Sequence, residues 1–513
     1  MIQHIKSFIK SYSYYFAILA SIILAPYFIF YNQNFQEVTF YQTIQPFFLL
    51  SGLFFLNTAC LFLIIKIDPK LDNILFITSI VLISVILNFD FFYHDLLWKN
   101  LESLIALTST RIILFSTIII LIFAIYILLK IQFIRSFFLF FCLFFLLVPA
   151  LQTLFKSYNN FQNNILLEKS NQFKIDYKKR INSLDENVYF ILLDGYASNK
   201  TFSRMSFDNS NFYSFLTNNG FKILGNKAAY NRTYLALTGI FNLNYPVIEG
   251  DKPYKHHKNF FPLLLGKDSP SPLIEQLYEL NYEFILFGNG WSGCNPKHIT
   301  CPELSNNNMF PSWISYQSWV LLSKTLFRYF IKYDFDFDAI GNFIKYNKNN
   351  IISKNSKFYF IHHLSPHPPY LFNDCKTLKA ESLVSWETPE DYLATVKCVN
   401  EKFFELVSLI NREDPSGIIV VQSDHGPMTA QNWVLNDTKN IHIDNRLSIL
   451  NAIKSPELCD RWMKEYMGPI NTVRFILACI SQKQPSYIGE KSFIAARKSD
   501  ENYGIVREYF SEE

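Results

Sequence analysis

The chain has 513 residues, half of them hydrophobic and 17% aromatic, and its formal net charge is +4. Acidic and basic residues nearly balance, which excludes the clustered basic face of a nucleic-acid-binding protein. This length leaves room for two or more domains, and the apolar residues are concentrated in the first third of the chain.

Five apolar stretches occupy that first third. They cover roughly residues 12–31, 44–65, 72–92, 111–129 and 134–155. Each can cross a hydrocarbon core about 30 Å thick, and five in succession argue against isolated buried core helices. The sequence therefore predicts a transmembrane domain of five helices over residues 1–155.

The basic residues predict the orientation of these helices. They lie before the first stretch, between the second and third, and at the junction of the fourth and fifth: Lys6, Lys10, Lys66, Lys70, Lys130 and Arg135. The alternate gaps carry little positive charge, so the N-terminus is expected in the cytoplasm. An odd number of spans then places the residues after about 156 outside the cytoplasm.

The cysteines are consistent with an exported C-terminal part. Six of the eight lie there: Cys294, Cys301, Cys375, Cys398, Cys459 and Cys479. An even set in an exported domain favours disulfides, and neighbour pairing (294–301, 375–398, 459–479) is our expectation among the possible connectivities. Zinc binding is the alternative, although the chain has no CxxC motif.

The remainder of the chain has the pattern of an α/β domain. A polar connector over residues 156–186 precedes it. Apolar runs at 187–193, 282–288, 357–364 and 417–423 are separated by helix-like segments such as Pro272–Leu280. Unbroken apolar strands alternating with helices predict a mainly parallel sheet covered by helices on both faces, over residues 187–513.

Two of these runs are followed by residue types that commonly bind metals. Asp194 follows the first run, and Asp424-His425-Gly426 follows the last. Open α/β sheets place ligands at the carboxyl ends of their strands, so both carboxylates and the imidazole are candidates for one metal site. A carboxylate that merely caps a turn is the alternative for Asp194.

Two further segments carry candidate groups. Thr233 begins a helix-like run, where the positive end of the helix dipole favours an alkoxide or a bound phosphate. A plain N-cap threonine is the alternative, and Thr238 is a second candidate hydroxyl. Three of the ten histidines, His362, His363 and His367, fall within six residues at a strand end, as metal ligands, substrate contacts or structural loop residues.

These motifs resemble the alkaline phosphatase/sulfatase superfamily. The whole arrangement is similar to membrane-anchored envelope phosphotransferases of the lipoteichoic acid synthase and phosphoethanolamine transferase types. The resemblance implies Asp194 as the first metal ligand, Thr233 as the nucleophile and His367 as a substrate contact. It also implies Asp424 and His425 as the final ligand pair, and the segment 445–452 resembles a stretch that follows this pair in sulfatase-like proteins.

The sequence also departs from that family. No C/S-x-P-x-R context surrounds Thr233, which disfavours a formylglycine sulfatase. No second Asp-xxx-His set is found, which favours a single metal. His363 and Arg232 are taken as further substrate-binding residues, whereas Lys297 and Arg446 are only candidates for phosphate binding.

The activity implied by the resemblance is metal-dependent transfer of a phosphoglycerol or phosphoethanolamine head group through a threonine-linked intermediate. Its metal site would comprise Asp194, Thr233, Asp424 and His425. Mn²⁺ or Zn²⁺ suits this set better than Mg²⁺ or Ca²⁺. The donor would be a phospholipid, the acceptor a lipid-linked or surface glycan, and the location a bacterial inner membrane with a periplasmic catalytic domain. A phosphodiesterase or sulfuric ester hydrolase of the same fold and an inactive assembly scaffold are the alternatives.

Overall fold

The computed structural model describes most of the chain. The described residues are 8, 11–33, 40–67, 70, 72–87, 123, 125–127, 131–160, 183–254, 260, 271–288, 299–302, 321, 325, 338–349, 356–368, 370–371, 375, 389–428, 441–496 and 502–510. They form two compact units. Unit 1 comprises Met1–Asn163 and Asn308–Phe335, and unit 2 comprises Asn164–Asn307 and Asp336–Glu513.

Unit 1 is built from apolar helices. They are α1 (Ser13–Gln33), α2 (Phe40–Ile67), α3 (Asp72–Leu87) and α4 (Gln132–Asn160). Half of the apolar window of α1 is buried, whereas the windows of α2 and α4 are 17% and 11% buried. α1 is therefore the central helix of the unit, and the large apolar side chains left open on α4, such as Phe137, Phe140 and Phe144, suit contact with lipid.

Three helices in the described part are long and apolar enough to cross a membrane, compared with the five predicted. These stretches are Ser13–Asn32, Ile44–Ile67 and Phe133–Phe155. α3 is apolar but only 16 residues long. The predicted span 111–129 lies mostly outside the described residues. The coarser conclusion, a membrane protein with an apolar N-terminal part, therefore rests on three helices.

Unit 2 alternates strands and helices. The strands are β1 (Val188–Leu193), β2 (Lys222–Ile223), β3 (Glu283–Phe287), β4 (Ile299–Thr300), β5 (Lys357–His363), β6 (Ile418–Gln422), β7 (Asn451–Lys454), β8 (Phe493–Ala495) and β9 (Val506–Glu508). The helices are α5 (Asn199–Arg204), α6 (Ser210–Asn218), α7 (Thr233–Asn242), α8 (Pro272–Glu279), α9 (Ala339–Asn349), α10 (Pro389–Glu413), α11 (Ile441–Leu447), α12 (Glu457–Asp460) and α13 (Pro469–Ser481).

Seven of the strands form one mixed sheet, in the order β2-β7-β6-β1-β5-β3-β4. The inner strands β6, β1, β5 and β3 run parallel to one another, whereas β7 is antiparallel to both β6 and β2. β8 and β9 form a separate antiparallel pair. Because β1 lies between β5 and β6, the carboxyl ends of these three strands meet at one edge of the sheet.

Both faces of the sheet are covered, which explains the unbroken apolar runs in the sequence. Alternate residues of β1 point to opposite faces, so Val188 and Phe190 pack in one core and Tyr189 and Ile191 in the other. Side chains from α7, α8 and α13 complete the first core, and those from α5, α6, α9 and α10 complete the second.

Two of the three predicted disulfides are present among the described residues. They join Cys375 to Cys398 and Cys459 to Cys479. The third predicted pair, Cys294–Cys301, involves Cys294, which lies outside the described residues; Cys301 is disulfide-bonded. Cys60 and Cys142 of unit 1 are free thiols. Neighbour pairing is therefore confirmed for the two bonds.

Replacing Cys459 and Cys479 together by Ser is expected to destabilise unit 2. Both residues are buried in the first core, and the bond closes a loop with a sequence separation of 20. Loss of such a cross-link typically costs about 2–4 kcal/mol of unfolding free energy. Thermal unfolding of the detergent-solubilised chain measures the effect, with Cys60→Ser as the control. An unchanged midpoint in the double variant would contradict the expectation.

Candidate active site

The carboxyl edge of the sheet brings three predicted ligands together. Asp194 follows β1 directly, and Asp424 and His425 lie just beyond β6. One ligand atom from each lies within 4.8 Å of the others, and all three residues are buried. Residues 230 positions apart in the chain therefore form one cluster, because their parent strands are neighbours in the sheet.

The two loops that carry the cluster are fixed to each other. The Ser423 hydroxyl donates to the backbone oxygen of Tyr196 at 2.7 Å. The backbone N–H of Gly195, a residue with φ of 74°, donates to Asp424 Oδ1 at 3.1 Å. Gly426 lies so close to Asn445 that a Cβ atom there would come within 2.1 Å of the Asn445 backbone oxygen. The last residue of the Asp-His-Gly motif must therefore be glycine.

Each ligand presents an atom suited to a cation. Asp194 Oδ1 and Asp424 Oδ2 are buried and accept no hydrogen bond from the described residues. His425 Nδ1 lies 3.1 Å from the backbone oxygen of Gly426. A carbonyl oxygen accepts, so Nδ1 carries the proton and Nε2 is the unprotonated, acceptor nitrogen. That Nε2 atom lies 3.2 Å from Asp424 Oδ2 and 3.8 Å from Asp194 Oδ1.

The electrostatics of the cluster also favour a cation. Burial raises the pKa of Asp194, and it raises the pKa of Asp424 to about 7, with the Asp194 charge adding to the effect. Burial likewise holds the pKa of His425 well below its usual value, so that its ring is neutral and able to coordinate. Two carboxylates and a neutral imidazole, with unpartnered oxygens facing one another, fit a divalent metal ion.

Thr233 lies beside this cluster at the first position of α7, with Arg232 as the N-cap residue. Its Oγ1 is 2.9 Å from His425 Nε2. The second candidate, Thr238, is fully buried inside the helix, where its hydroxyl donates to the backbone oxygen of Tyr234 at 2.6 Å. The structure therefore places Thr233, and not Thr238, at the cluster.

The three clustered histidines occupy different places. His362 Nε2 lies 3.3 Å from Asp194 Oδ2. His363, the next residue on β5, points to the other face, where its Nδ1 is 3.8 Å from Asp338 Oδ1. The ring of His367 lies 6.5 Å from that of His425, centroid to centroid. His362 and His367 therefore border the cluster, whereas His363, expected to bind substrate, does not.

The two arginines near the cluster are Arg232 and Arg446. Burial lowers the pKa of both His425 and Arg446, and the positive charge of Arg232 adds to the effect, so Arg232 lies near the site. Arg446 is buried, and its Nη2 donates to His425 Nε2 at 2.8 Å. Lys297 lies outside the described residues. His362 and Arg446 are the neighbours of the cluster to which the sequence assigned no definite role.

His362 is expected to tune metal affinity through Asp194. Burial lowers the pKa of His362 to about 4, so a neutral ring donates from Nε2 to Asp194 Oδ2 and leaves Oδ1 for a cation. Loss of such a supporting bond typically costs about 10–100-fold in metal affinity.

Calorimetric titration of Mn²⁺ or Zn²⁺ into His362→Leu should show that loss, and His362→Gln should recover part of it through its amide N–H. His363→Leu is the matched control, a buried histidine on the opposite face, and should bind metal normally. Normal affinity in His362→Leu would refute the assignment.

Comparison with known proteins finds a family match for part of the chain. Residues 225–451 match the family model described as Sulfatase. That segment supplies Thr233, Asp424, His425 and Arg446. No curated protein matches the chain.

Several solved structures are similar to the chain at low identity. One is the integral membrane protein lipooligosaccharide phosphoethanolamine transferase A of Neisseria meningitidis, with 13% identity, a TM-score of 0.39, and coverage of 91% of this chain and 95% of that one. Another is a phosphonate monoester hydrolase of Silicibacter pomeroyi, with 12% identity, a TM-score of 0.38, and coverage of 61% and 81%. A third is the C-terminal periplasmic domain of EptC from Escherichia coli in complex with zinc, with 11% identity, a TM-score of 0.40, and coverage of 65% and 96%.

Similarities at this level assign neither substrate nor reaction. The family match covers the nucleophile candidate and the Asp-His pair, which are the motifs that carried the resemblance in the sequence. The resemblance to sulfatase-like proteins is therefore confirmed over residues 225–451.

Proposed function

We propose that the protein is a metal-dependent phosphotransferase that moves a phospholipid-derived head group, phosphoglycerol or phosphoethanolamine, onto an envelope glycan or lipid. The observation that carries the proposal is the contact between Thr233 Oγ1 and the buried cluster, at 2.9 Å from His425 Nε2. A half-buried hydroxyl at the N-terminus of a helix, beside unpartnered carboxylate oxygens, has the surroundings of a nucleophile rather than of a simple cap.

The reaction would take place in two displacements on Thr233. In the first, Thr233 Oγ1 forms a bond to phosphorus, and the bond from phosphorus to the diacylglycerol oxygen breaks. The hydroxyl proton passes to a carboxylate oxygen of the cluster, where Thr233 helps to lower the raised pKa of Asp424, and from there to the departing diacylglycerol oxygen. In the second, an acceptor hydroxyl displaces Thr233 and the head group leaves the enzyme. The positive end of the α7 dipole favours the negative charge that develops at Thr233.

Asp194, Asp424 and His425, with Thr233 as the fourth ligand, would hold the metal ion. A bound divalent cation supplies Lewis acidity, which lowers the pKa of a coordinated hydroxyl and offsets charge on phosphoryl oxygens. The imidazole favours Mn²⁺ or Zn²⁺ over Mg²⁺ or Ca²⁺.

His367 suits the second displacement. Its Nδ1 donates to the backbone oxygen of Pro368 at 2.7 Å, and burial lowers its pKa, so the ring is neutral and Nε2 carries no proton. That atom can accept the proton of the acceptor hydroxyl. Arg232 carries a positive charge at the N-cap of α7, and this charge suits an anionic phosphodiester.

Other features support a lipid donor and an exported active site. The apolar helices hold the chain in a bilayer that contains phospholipids. Disulfides in unit 2 are typical of an oxidising compartment such as the periplasm, and the distribution of Lys and Arg favours a cytoplasmic N-terminus.

Incubating the purified full chain and Mn²⁺ or Zn²⁺ with head-group-labelled phosphatidylglycerol or phosphatidylethanolamine tests the proposal. Mass analysis of the peptide that contains Thr233 should show the added phospho-head group, and a glycan acceptor should remove it. Release of the group to water at an undiminished rate, whether or not acceptor is present, would point instead to a hydrolase. An unmodified Thr233 with every donor would overturn the covalent mechanism.

A further inference from the structure

The guanidinium of Arg446 joins the two loops that carry Thr233 and His425. Its Nε donates to the backbone oxygen of Asn231, two residues before Thr233, at 3.0 Å. Its Nη1 donates to the backbone oxygen of Gly426, directly after His425, at 2.7 Å. Both acceptors are fixed main-chain atoms, so one planar group sets the spacing of two segments that are 195 residues apart (231 to 426).

The segment before Thr233 is held on its other side as well. The backbone N–H of Asn231 donates to the backbone oxygen of Phe493, and the Asn231 side chain exchanges hydrogen bonds with the main chain of Ala495. Asn231 is therefore held by hydrogen bonds to β8 on one side and to Arg446 on the other. Gly426 makes two hydrogen bonds with Arg446, because its own N–H also donates to the backbone oxygen of Arg446 at 2.7 Å.

An arginine suits this place, and a lysine does not. A guanidinium is a rigid fork with several donors in one plane, whereas an ammonium group is a single point on a flexible stem. Burying a full positive charge is costly, and here the neighbouring carboxylates Asp194 and Asp424 offset the cost. The positive charge of Arg446 therefore interacts with the two carboxylates, and its fork of donors holds the two main-chain oxygens.

We propose that Arg446 is a positioning residue that fixes Thr233 Oγ1 relative to the ligand atoms of Asp424 and His425. The inference rests on the proposed function, in which Thr233 is the nucleophile. Displacement of a nucleophile by about 1 Å can cost about 10²-fold in rate. Arg446 would thus act on the chemical step through geometry and not through contact with the reacting atoms.

Arg446→Lys tests the inference, and Arg474→Lys is a matched control. Arg474 is also buried and also donates to main-chain oxygens, those of Leu243 and Ser486, but it has no described contact with His425 or Asn231. Both variants lose a buried guanidinium fork and keep the charge. The full chain in detergent is compared for amide hydrogen exchange, for binding of Mn²⁺ or Zn²⁺ by calorimetry, and for hydrolysis of bis(4-nitrophenyl) phosphate.

In Arg446→Lys, amide exchange in peptides covering 228–235 and 423–428 should rise together, by about tenfold or more. The value of kcat should fall about 10²-fold with little change in KM, and excess metal should not restore it. Arg474→Lys should lower the thermal midpoint and leave kcat and both peptides unchanged.

Increased exchange in only one of the two peptides, or in neither, would overturn the inference. So would an equal loss of kcat in Arg474→Lys, or full recovery of Arg446→Lys by excess metal. Failure of the proposed function gives a different result: the wild-type chain turns over no phosphodiester and Thr233 stays unmodified. The exchange data then still decide whether Arg446 joins the two loops.

Discussion

Thr233→Ala is expected to lower head-group transfer by at least about 10³-fold without unfolding the protein. The methyl side chain of Ala cannot form a phosphoester. Removal of the Thr233 hydroxyl also deletes one contact to His425 Nε2. Residual turnover would come from direct attack of water or acceptor on a bound donor, because the cluster and Arg446 are unchanged. Metal affinity should fall as well, since one of four ligands is lost.

The measurement is the rate of release of a labelled phospholipid head group, with circular dichroism as the check on folding. Thr233→Ser keeps a hydroxyl and should retain most of the activity. Thr238→Ala alters the same residue type in the same helix, but Thr238 is fully buried and bonded to Tyr234, so transfer should persist. Full activity in Thr233→Ala would remove the nucleophile from the mechanism.

Asp424→Asn is expected to abolish metal binding and yet to stabilise the metal-free protein at neutral and alkaline pH. In the folded protein, burial together with the charge of Asp194 raises the pKa of Asp424 from 3.8 to about 7. A carboxyl with a raised folded pKa contributes its full stability below pH about 4 and loses it as pH rises through about 7. Asparagine has no proton to lose, so the variant avoids that loss.

Thermal unfolding in the presence of a chelator should therefore show two different pH profiles. Between pH 4 and 8 the unfolding free energy of the wild type should fall relative to that of Asp424→Asn, by on the order of a few kcal/mol, because the buried histidines contribute equally to both chains. Added Mn²⁺ or Zn²⁺ should stabilise the wild type at pH 8 and leave the variant unchanged. A variant that is less stable than the wild type at pH 8 without metal would contradict the assignment of a strained carboxylate pair.

The strands and their end residues were predictable because both depend on local patterns. Central parallel strands are buried on both faces, so the runs 187–193, 357–364 and 417–423 had to be continuously apolar, and they form β1, β5 and β6. A polar residue that follows such a run lies at the carboxyl edge of the sheet. That reasoning was enough to bring Asp194, Asp424 and His425 to one edge.

The neighbours of the cluster were not predictable in the same way. Which of His362 and His363 faces Asp194 depends on the parity of the β5 pleat, and a run buried on both faces does not reveal that parity. Arg446 lies in a helix of seven residues, and its side chain reaches His425 only through tertiary packing. Of the five predicted spans, three are described as helices long and apolar enough to cross a membrane, one as a helix of 16 residues, and one lies mostly outside the described residues.

The placement of β1 between β5 and β6 also determines when the metal site can exist. A ribosome makes Asp194 and Thr233 first, but Asp424, His425 and Arg446 only after about 190 more residues. Before that point the growing chain contains only the oxygen donors of Asp194 and Thr233 from this cluster. A chain truncated before Asp424 likewise contains no more of them. A metal ion held by this cluster would therefore be acquired only after unit 2 has folded, and the metal supply of the compartment in which it folds would decide which ion is bound.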